Sequence, residues 1–353
     1  MDSFTVTAAR MPELERRITE HPDAFRVLTG DRPTGALHLG HYFGSVRERV
    51  RLQQRGVDTF LILADYQVIT DRDIADNVAE SVREAIADYL AAGLDPDRTT
   101  IFVHSAVPAL NQLLVPFLSL VTEAELHRNP TVKAEQLASG RALSGLLLTY
   151  PVHQAADILF CKANLVPVGK DNLPHVEQTR VIARRFNSRY APLFPEPEAL
   201  LTDAPEVPGL DGRKMSKSYG NAIALSMSDD ETAAVIRRTR TDSERRITYD
   251  PQGRPGVSGL LSVAALCLDE TPEEVADRIA DAGSGQLKRL ATDAVNAFLG
   301  PHRARRRDIV AEPDLLDEVL RRGNARANEI AEGTLAEVRE AMGMGYANAV
   351  RAR

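Results

Sequence analysis

Residues 27–41 read VLTGDRPTGALHLGH, and this stretch decides the fold. It begins with Val27 and Leu28, two apolar residues typical of a buried strand, and continues into a turn rich in glycine and proline. A helix is then predicted from Gly40 to Arg55. A strand that enters a helix through a glycine turn is the repeating unit of parallel α/β sheets.

The same alternation continues downstream. Residues 59–64 (TFLILA) form a short apolar run that predicts a buried strand. Residues 74–92 place an apolar side chain at every fourth position and end at Gly93, which predicts a helix with one apolar stripe. Further strands are predicted at 100–103 and 165–168. This order of elements predicts an α/β fold, a Rossmann-type doubly wound parallel sheet with a C-terminal α-helical domain.

The chain has 353 residues, too many for one compact core, so at least two domains are expected. Residues 1–24 are polar and predict an N-terminal extension without a clear core pattern. Residues 25–205 carry the signals of the Rossmann domain with inserted helices. Residues 206–225 are rich in Gly, Pro, Lys and Ser and predict a mobile loop. Residues 226–345 show helix signals only, and the last helix is predicted at 313–341.

Composition argues against several classes of protein. The net charge of −7 gives no global basic signal, although an acidic protein can still bind nucleic acid through a local basic face. Cys161 and Cys267 lie far apart without a CxxC motif, which argues against a disulfide scaffold or a zinc site, and no metal site is predicted. No stretch approaches the roughly 20 apolar residues of a membrane-spanning helix. We expect a soluble cytoplasmic protein without a membrane contact.

The run HLGH, from His38 to His41, puts two imidazoles and a bare backbone at a predicted helix start. Free N–H groups and partial positive charge at that end suit a phosphate. Gly40 has no Cβ, so an adenine or a ribose can lie against the backbone. Taken alone, this short match is equally explained by two ordinary histidines at the beginning of a helix.

A second motif, KMSKS, spans Lys214 to Ser218 and follows Gly209 and Gly212. Lysine ammonium groups can pair with the β- and γ-phosphates while serine hydroxyls bind oxygens. A mobile loop can close over a triphosphate and later release pyrophosphate. A solvated Lys/Ser loop is the plain alternative, and the two motifs in this order on a Rossmann pattern disfavour it. The sequence lacks GxxxxGK[ST], so a P-loop ATPase is not supported.

The two motifs resemble the HIGH and KMSKS motifs of the class I aminoacyl-tRNA synthetases. Residues 148–159 (LTYPVHQAADIL) and 165–180 (LVPVGKDNLPHVEQTR) are similar to the bacterial-type tryptophan members of that class. Shorter similarities lie at 183–187, 241–243, 255–258 and 325–328, and the resemblance runs from about 26 to 344. It implies an ATP-dependent tryptophan–tRNA ligase that acts on L-tryptophan and tRNA(Trp) as a homodimer.

The resemblance also implies roles for single residues. The catalytic set would be His38, His41, Lys214 and Lys217. The ATP contacts would be Arg32, Pro33, Thr34, Gly40, His41, Gly169, Lys170, Asp171, Val207, Lys214, Met215, Ser216, Lys217 and Ser218. Mg²⁺ would be carried with ATP instead of sitting in a protein cage. The tryptophan carboxylate would attack the α-phosphorus directly, so positioning and charge stabilisation must supply the rate.

For the amino-acid pocket, the resemblance implies that Asp157 accepts the indole N–H, which is the one donor an indole offers. The pocket would be completed by Tyr150, Asn172, Gln154, Gln67, Gly30, Val166 and Val168, with Tyr150 and Asn172 at the ammonium group. The sequence departs from the common bacterial pattern at Arg32, Gln67, Gln154 and Asn172, which suggests a divergent subgroup. A site that requires this hydrogen bond can reject phenylalanine strongly.

Three alternatives stay open on the sequence. A tyrosine–tRNA ligase is the nearest in fold, and residues 166–169 and 175–177 favour tryptophan over it. A regulatory paralogue without catalysis is disfavoured by the intact motifs, and a nucleotidyltransferase that makes a dinucleotide is disfavoured by the helical C-terminal part. Basic segments at 237–240, 245–246 and 303–307 are candidates for tRNA contacts, although a solvated helix face better explains each run alone.

Overall fold

A computed structural model describes residues 3–70, 77–139, 142–169, 172–201 and 207–346. Its centre is a sheet of five parallel strands in the order β3-β2-β1-β4-β5. The strands are β1 Arg26–Asp31, β2 Asp58–Leu63, β3 Thr99–Val103, β4 Leu165–Val168 and β5 Glu198–Leu201. The order confirms the doubly wound parallel sheet, because the chain moves to one side of β1 through β2 and β3 and to the other side through β4 and β5.

Helices surround the sheet and make up the C-terminal part of the chain. Those up to β5 are α1 Ser3–Glu20, α2 Leu39–His41, α3 Arg47–Gln54, α4 Val78–Ala92, α5 Pro108–Gln112, α6 Leu114–Leu118, α7 Glu123–Arg128, α8 Pro130–Ser139, α9 Gly145–Leu159 and α10 Leu173–Arg189. Those after it are α11 Asp229–Arg238, α12 Pro255–Leu268, α13 Pro272–Ile279, α14 Ser284–Val310 and α15 Pro313–Ala341. No helix in these described ranges is both long and apolar enough to cross a membrane.

Most predicted elements are confirmed. A π-helical turn, Tyr42–Val46, joins α2 to α3, so the helix predicted from Gly40 to Arg55 is one continuous segment. The helix predicted at 74–92 is confirmed from Val78 onward, and its first residues fall in 71–76, outside the described residues. The Ser228 and Thr271 side chains accept from the backbone N–H groups three residues on and cap α11 and α13.

The N-terminal segment differs from the prediction. Residues predicted as a polar extension without a core pattern form α1, whose Leu14 and Ile18 are buried against Val27, Leu165 and Leu200. Two apolar residues four apart give a stripe only one side chain wide, which is too narrow to stand out in a charged segment. The segment is therefore part of the folded core beneath the sheet.

The last helix, confirmed at Pro313–Ala341, returns to the sheet and covers the edge strand β3. Gly323 permits the close approach, since a Cβ there would lie 1.7 Å from the Ile101 carbonyl oxygen. Next to it, the Asn324 amide oxygen accepts from the Val103 N–H at 2.9 Å. A side chain thus satisfies a backbone donor on a strand edge that would otherwise be open for pairing.

Two glycines of this helix offer a matched test. Gly323→Ala should destabilise the protein by roughly 1–3 kcal/mol or more, because the new methyl group has no space against β3. Gly333→Ala should be neutral or stabilise by about 0.5–1 kcal/mol, because open space surrounds that position and alanine favours a helix. Urea unfolding measures both variants. Equal effects of the two substitutions would contradict the close contact between helix and strand.

Candidate active site

The candidate site lies where the carboxyl ends of β1 and β4 meet. These two strands are neighbours, but the chain leaves them in opposite directions. A crevice opens at such a switch point, and ligands of doubly wound sheets bind there. The HLGH segment follows β1, and residues 169–172 follow β4.

A short antiparallel pairing joins the two motifs. The Leu39 N–H donates to the Ile223 carbonyl at 3.0 Å, and the Leu225 N–H donates to the Leu37 carbonyl at 2.9 Å. His38 lies opposite Ala224 in this bridge. Because Ile223 comes five residues after Ser218, the pairing places the KMSKS loop directly beside the HLGH helix start.

Asn221 holds the loop in shape. Its side chain is buried, its amide oxygen accepts from the Ser216 N–H at 2.8 Å, and its amide nitrogen donates to Asp211 at 2.6 Å and to the Lys214 carbonyl at 3.1 Å. Met215 is buried at the base of the loop, and its N–H donates to the Val207 carbonyl at 3.1 Å. The loop is therefore a folded turn with a polar clamp at its centre.

The two histidines lie against each other, with ring centroids 3.8 Å apart. The backbone N–H of His38 donates to the ring nitrogen Nδ1 of His41 at 3.2 Å. Burial, helped by the nearby His41 and Lys217, lowers the pKa of His38 to about 3, and burial likewise lowers the pKa of His41. At neutral pH both rings are neutral, so each offers one N–H donor and no charge.

Glycine is required at position 40. A Cβ there would lie 2.9 Å from the His38 ring and 3.5 Å from the Met215 side chain. The ring of the first motif and the methionine of the second thus close over the same piece of backbone. A larger residue would displace the His38 ring.

Lys217 supplies the charge at this point. Its ammonium group lies 3.0 Å from where a Cβ of Gly35 would be, and its charge lowers the pKa of both His38 and His41. The structure therefore brings His38, His41 and Lys217 together. Lys214 is exposed on the same loop, and Ser216 lies between them. The Ser218 side chain, Lys170 and Asp171 lie outside the described residues.

A cavity of about 730 Å³ opens next to these groups. His38 and Lys217 line one wall, and Arg238 and Arg240 from the helical part line another. Asp211 also reaches this cavity, but its carboxylate is engaged by Asn221 and Arg213. The cationic lining suits an anionic ligand.

A buried pair of charged residues, Arg49 and Asp31, lies at the carboxyl end of β1 next to the crevice. Neither residue was predicted from the sequence to have a role. Arg49 pairs with Asp31 through both terminal guanidinium nitrogens, and the Tyr89 hydroxyl donates to the same carboxylate. Burial would raise the pKa of Asp31, but Arg49 outweighs it and holds that pKa well below its usual range. In the sequence, Arg49 lies at helical spacing between Val46 and Leu52, which are buried. A charged residue on the apolar face of a helix is the signal that could have indicated a buried ion pair.

The predicted ATP contacts from the first turn surround this region. The Thr34 N–H donates to the Arg32 carbonyl at 2.8 Å, and Pro33 is buried between them. Gly30 allows β1 to pass close to β2, because a Cβ there would lie 2.3 Å from the Ile62 side chain. The Gly169 carbonyl accepts from the Asn172 N–H at 3.2 Å, just after β4.

The residues predicted for the amino-acid pocket lie on α9 and β4. Tyr150, Gln154 and Asp157 occur at helical spacing, which places them on one face of α9. Asp157 is only 4% exposed, and the Tyr150 hydroxyl lies 3.2 Å from His175 Nε2. The structure brings three more side chains to this face. Gln67 Nε2 lies 3.5 Å from Asp157 Oδ2, and His104 and His153 are buried beside the carboxylate. Neither histidine was predicted from the sequence. Val166 and Val168 are buried on β4.

One set of candidate tRNA contacts is partly engaged inside the fold: Arg303, Arg305 and Arg306 have internal partners, while Arg307 is exposed. Arg303 is buried and donates to Asp229 and Thr232, Arg305 donates to the Ala91 carbonyl, and Arg306 pairs with Glu84 and Asp88. These arginines attach α14 to α4 and α11 and are committed to the fold. A run of basic residues gives no indication in sequence of whether its partners are internal.

Known proteins resemble this chain in sequence and in fold. Residues 20–300 match the family model described as tRNA synthetases class I (W and Y). The tryptophan–tRNA ligase of Treponema pallidum (strain Nichols) is 44% identical over 331 residues, which cover 90% of this chain and 97% of that protein. The tryptophan–tRNA ligase of Clostridium longisporum is 41% identical over 91% of this chain and 98% of its own length.

Among solved structures, the tryptophanyl-tRNA synthetase of Campylobacter jejuni complexed with ADP and tryptophan gives a TM-score of 0.79 at 32% identity, covering 90% of this chain and 99% of that one. The chain belongs to the class I aminoacyl-tRNA synthetases. Within that class it is a member of the family of tryptophan and tyrosine enzymes, and the relatives described above are all tryptophan enzymes.

Proposed function

We propose that the chain is a tryptophan–tRNA ligase, which activates L-tryptophan with ATP and transfers it to the 3′ end of tRNA(Trp). The observation that carries this proposal is the antiparallel pairing that sets His38 and Lys217 at one cavity, with the His41 ring packed against that of His38. Relatives that are 41–44% identical over nine tenths of the chain are named tryptophan–tRNA ligases. The Campylobacter structure of this family contains ADP and tryptophan.

In the first step, a tryptophan carboxylate oxygen forms a bond to the α-phosphorus while the bond from that phosphorus to the bridging oxygen breaks. Pyrophosphate leaves with the electron pair of that bond. The neutral His38 and His41 rings donate hydrogen bonds, and Lys214 and Lys217 stabilise the negative charge that develops on the phosphates. In the second step, a ribose hydroxyl of the tRNA end attacks the adenylate carbonyl and AMP leaves.

The remaining ATP contacts are proposed from the position of their segments. Arg32, Pro33 and Thr34 in the first turn and Gly40 border the nucleotide, while Gly169, Lys170 and Asp171 meet its ribose. Val207 touches the adenine, and Met215, Ser216 and Ser218 complete the loop. Mg²⁺ is held by phosphate oxygens, since Asp211, the carboxylate at the cavity, is already engaged by Asn221 and Arg213.

The amino-acid side of the site selects tryptophan through one hydrogen bond. Asp157 accepts the indole N–H, and Tyr150 and Asn172 hold the ammonium group. The slot itself is bordered by Gly30, Gln67, Gln154, Val166 and Val168. Phenylalanine would leave the buried carboxyl group without the indole donor, and such a loss discriminates strongly.

The domains divide the work. We propose that residues 25–205 activate the amino acid, that 206–225 close on the triphosphate, and that 226–345 bind tRNA in the cytoplasm, where tRNA is charged. The first 24 residues support the catalytic part. Exposed Arg237, Arg238 and Arg240 lie beside the cavity and are the basic groups best placed for the tRNA.

Pyrophosphate exchange tests the activity and the site together. The protein should exchange label into ATP with tryptophan and with no other standard amino acid. Lys217→Ala should reduce the exchange by about 100-fold or more while tryptophan binding survives, because the lysine acts on the phosphates. Asp157→Ala should raise the KM for tryptophan on the order of 10- to 100-fold.

Lys162→Ala is the matched control, because that lysine pairs with Glu337 on the surface away from the crevice. It should exchange like the unaltered protein. If Lys217→Ala and Asp157→Ala also exchange normally, the site is misplaced. Exchange that depends on tyrosine instead of tryptophan would show that the chain is a tyrosine enzyme of the same family.

A homodimer is the expected assembly. Val115 is 73% exposed and Leu137 is 83% exposed, both on the helices inserted between β3 and β4, and a second copy could cover them. Sedimentation equilibrium should therefore give twice the chain mass of 38.7 kDa. Val115→Asp combined with Leu137→Asp should shift the mass toward the monomer, while Val310→Asp on the helical part should not. A monomer mass for the unaltered protein would refute the dimer.

A further inference from the structure

A cluster of buried polar groups lies directly behind the proposed indole acceptor. His104, at the end of β3, is fully buried, and His153 and Asp157 on α9 are nearly so. One ligand-type atom from each of the three lies within 4.8 Å of the others. Buried nitrogen and oxygen atoms this close must have their protons arranged in a definite way.

Gln67 fixes the proton on His104. The Gln67 amide oxygen lies 3.2 Å from His104 Nδ1, and an amide oxygen can only accept, so Nδ1 carries the proton. The amide nitrogen of the same side chain then faces Asp157 Oδ2 at 3.5 Å, the orientation in which it donates. A neutral imidazole has a single N–H, and His104 Nε2 is therefore left with a bare lone pair.

Asn111 fixes the proton on His153 in the same way. Its amide nitrogen donates to the Val107 carbonyl at 3.2 Å, so its oxygen faces His153 Nε2 at 2.6 Å. The proton of His153 is thereby used outside the cluster. His153 has no second proton to give to Asp157 while it is neutral, and burial lowers its pKa to about 4.

The two remaining atoms face each other. His104 Nε2 lies 3.2 Å from Asp157 Oδ1, and both atoms are buried without any other hydrogen-bond partner in the described structure. Two lone pairs at this distance in a buried site repel each other, and a buried unpaired carboxylate is costly. One proton between them removes both penalties.

We propose that His104 Nε2 and Asp157 Oδ1 share one proton, and that His104 is a positioning residue that turns Asp157 Oδ2 toward the indole as an acceptor only. The proposal rests on the proposed function and deepens it. Burial raises the pKa of Asp157 well above its usual range and lowers the pKa of His104 to about 3, so the proton resides mainly on the carboxyl group.

Selectivity follows from this arrangement. A protonated carboxyl group left alone could rotate and offer its O–H to a ligand that lacks a donor. When His104 accepts that O–H, the group can no longer donate to the ligand, and Oδ2, which already faces the Gln67 amide nitrogen, can take a further hydrogen bond only from an incoming N–H. The histidine thus restricts the Asp157 carboxyl group to accepting a hydrogen bond from the ligand, as the indole N–H requires.

Two substitutions of His104 test the roles of its two ring nitrogens one at a time. In His104→Asn, the amide nitrogen lies near the position of Nδ1, which preserves the contact with Gln67 but leaves Asp157 Oδ1 alone. In His104→Gln, the amide nitrogen lies near the position of Nε2 and can donate to Oδ1. The measurement is pyrophosphate exchange with tryptophan and with its benzothiophene analogue, in which sulfur replaces the N–H.

The unaltered protein should prefer tryptophan strongly in kcat/KM. His104→Asn should lose roughly tenfold or more of that preference, mainly through KM for tryptophan with kcat nearly unchanged, and His104→Gln should keep it within a few-fold. Equal preference in both variants, whether kept or lost, would overturn the proposal in favour of a packing role. If the unaltered protein fails to exchange with tryptophan, the proposed function fails instead.

Two measurements on the unaltered protein do not depend on the folding of the variants. Long-range proton–nitrogen NMR should find the His104 proton on Nδ1, and a ring protonated on Nε2 alone would overturn the proposal. Titration with Zn²⁺ should show no stoichiometric binding that competes with tryptophan. Tight competitive binding of one ion, lost in both His104 variants, would make the cluster a metal site.

Discussion

Two backbone hydrogen bonds between residues 37–39 and 223–225 hold the catalytic arrangement together. They join a segment near the start of the Rossmann part to one that follows the KMSKS loop. Because they involve main-chain atoms only, they fix the relative position of the motifs whatever side chains flank them. The pairing is reinforced by Asp88, a fully buried carboxylate that accepts from the Leu37 N–H at 3.3 Å and from Arg306 at 2.9 Å. Through Arg306, α14 of the helical part is tied to the same point.

The electrostatics of the site follow from burial. His38 and His41 are kept neutral because charged imidazoles would be desolvated beside Lys217. In the proposed function, the neutral rings leave Lys214 and Lys217 of the loop as the cations that meet the triphosphate. The same principle operates in the amino-acid pocket, where burial favours a neutral carboxyl group at Asp157.

Most of the fold could be predicted from the sequence, because the strands before β5 contain apolar residues in short runs and α11 and α13 begin with capping boxes. The exceptions were weak signals: β5 has four residues, EALL, after a proline-rich stretch, and α1 presents a narrow apolar stripe. The candidate site was predicted as two separate motifs, and their contact depends on a pairing between distant residues that periodicity cannot reveal. His104 belongs to no motif, and His153 lies in the stretch 148–159 but had no predicted role. Their importance arises from tertiary contacts with Gln67, Asn111 and Asp157.

The most direct test of the account is a crystal structure of the protein with tryptophan and a non-hydrolysable ATP analogue. The account predicts one triphosphate in contact with both a ring of the HLGH segment and the Lys217 ammonium group, with the pairing of 37–39 and 223–225 intact. A triphosphate that contacts only one of the two motifs, or binds outside the crevice between β1 and β4, would contradict it.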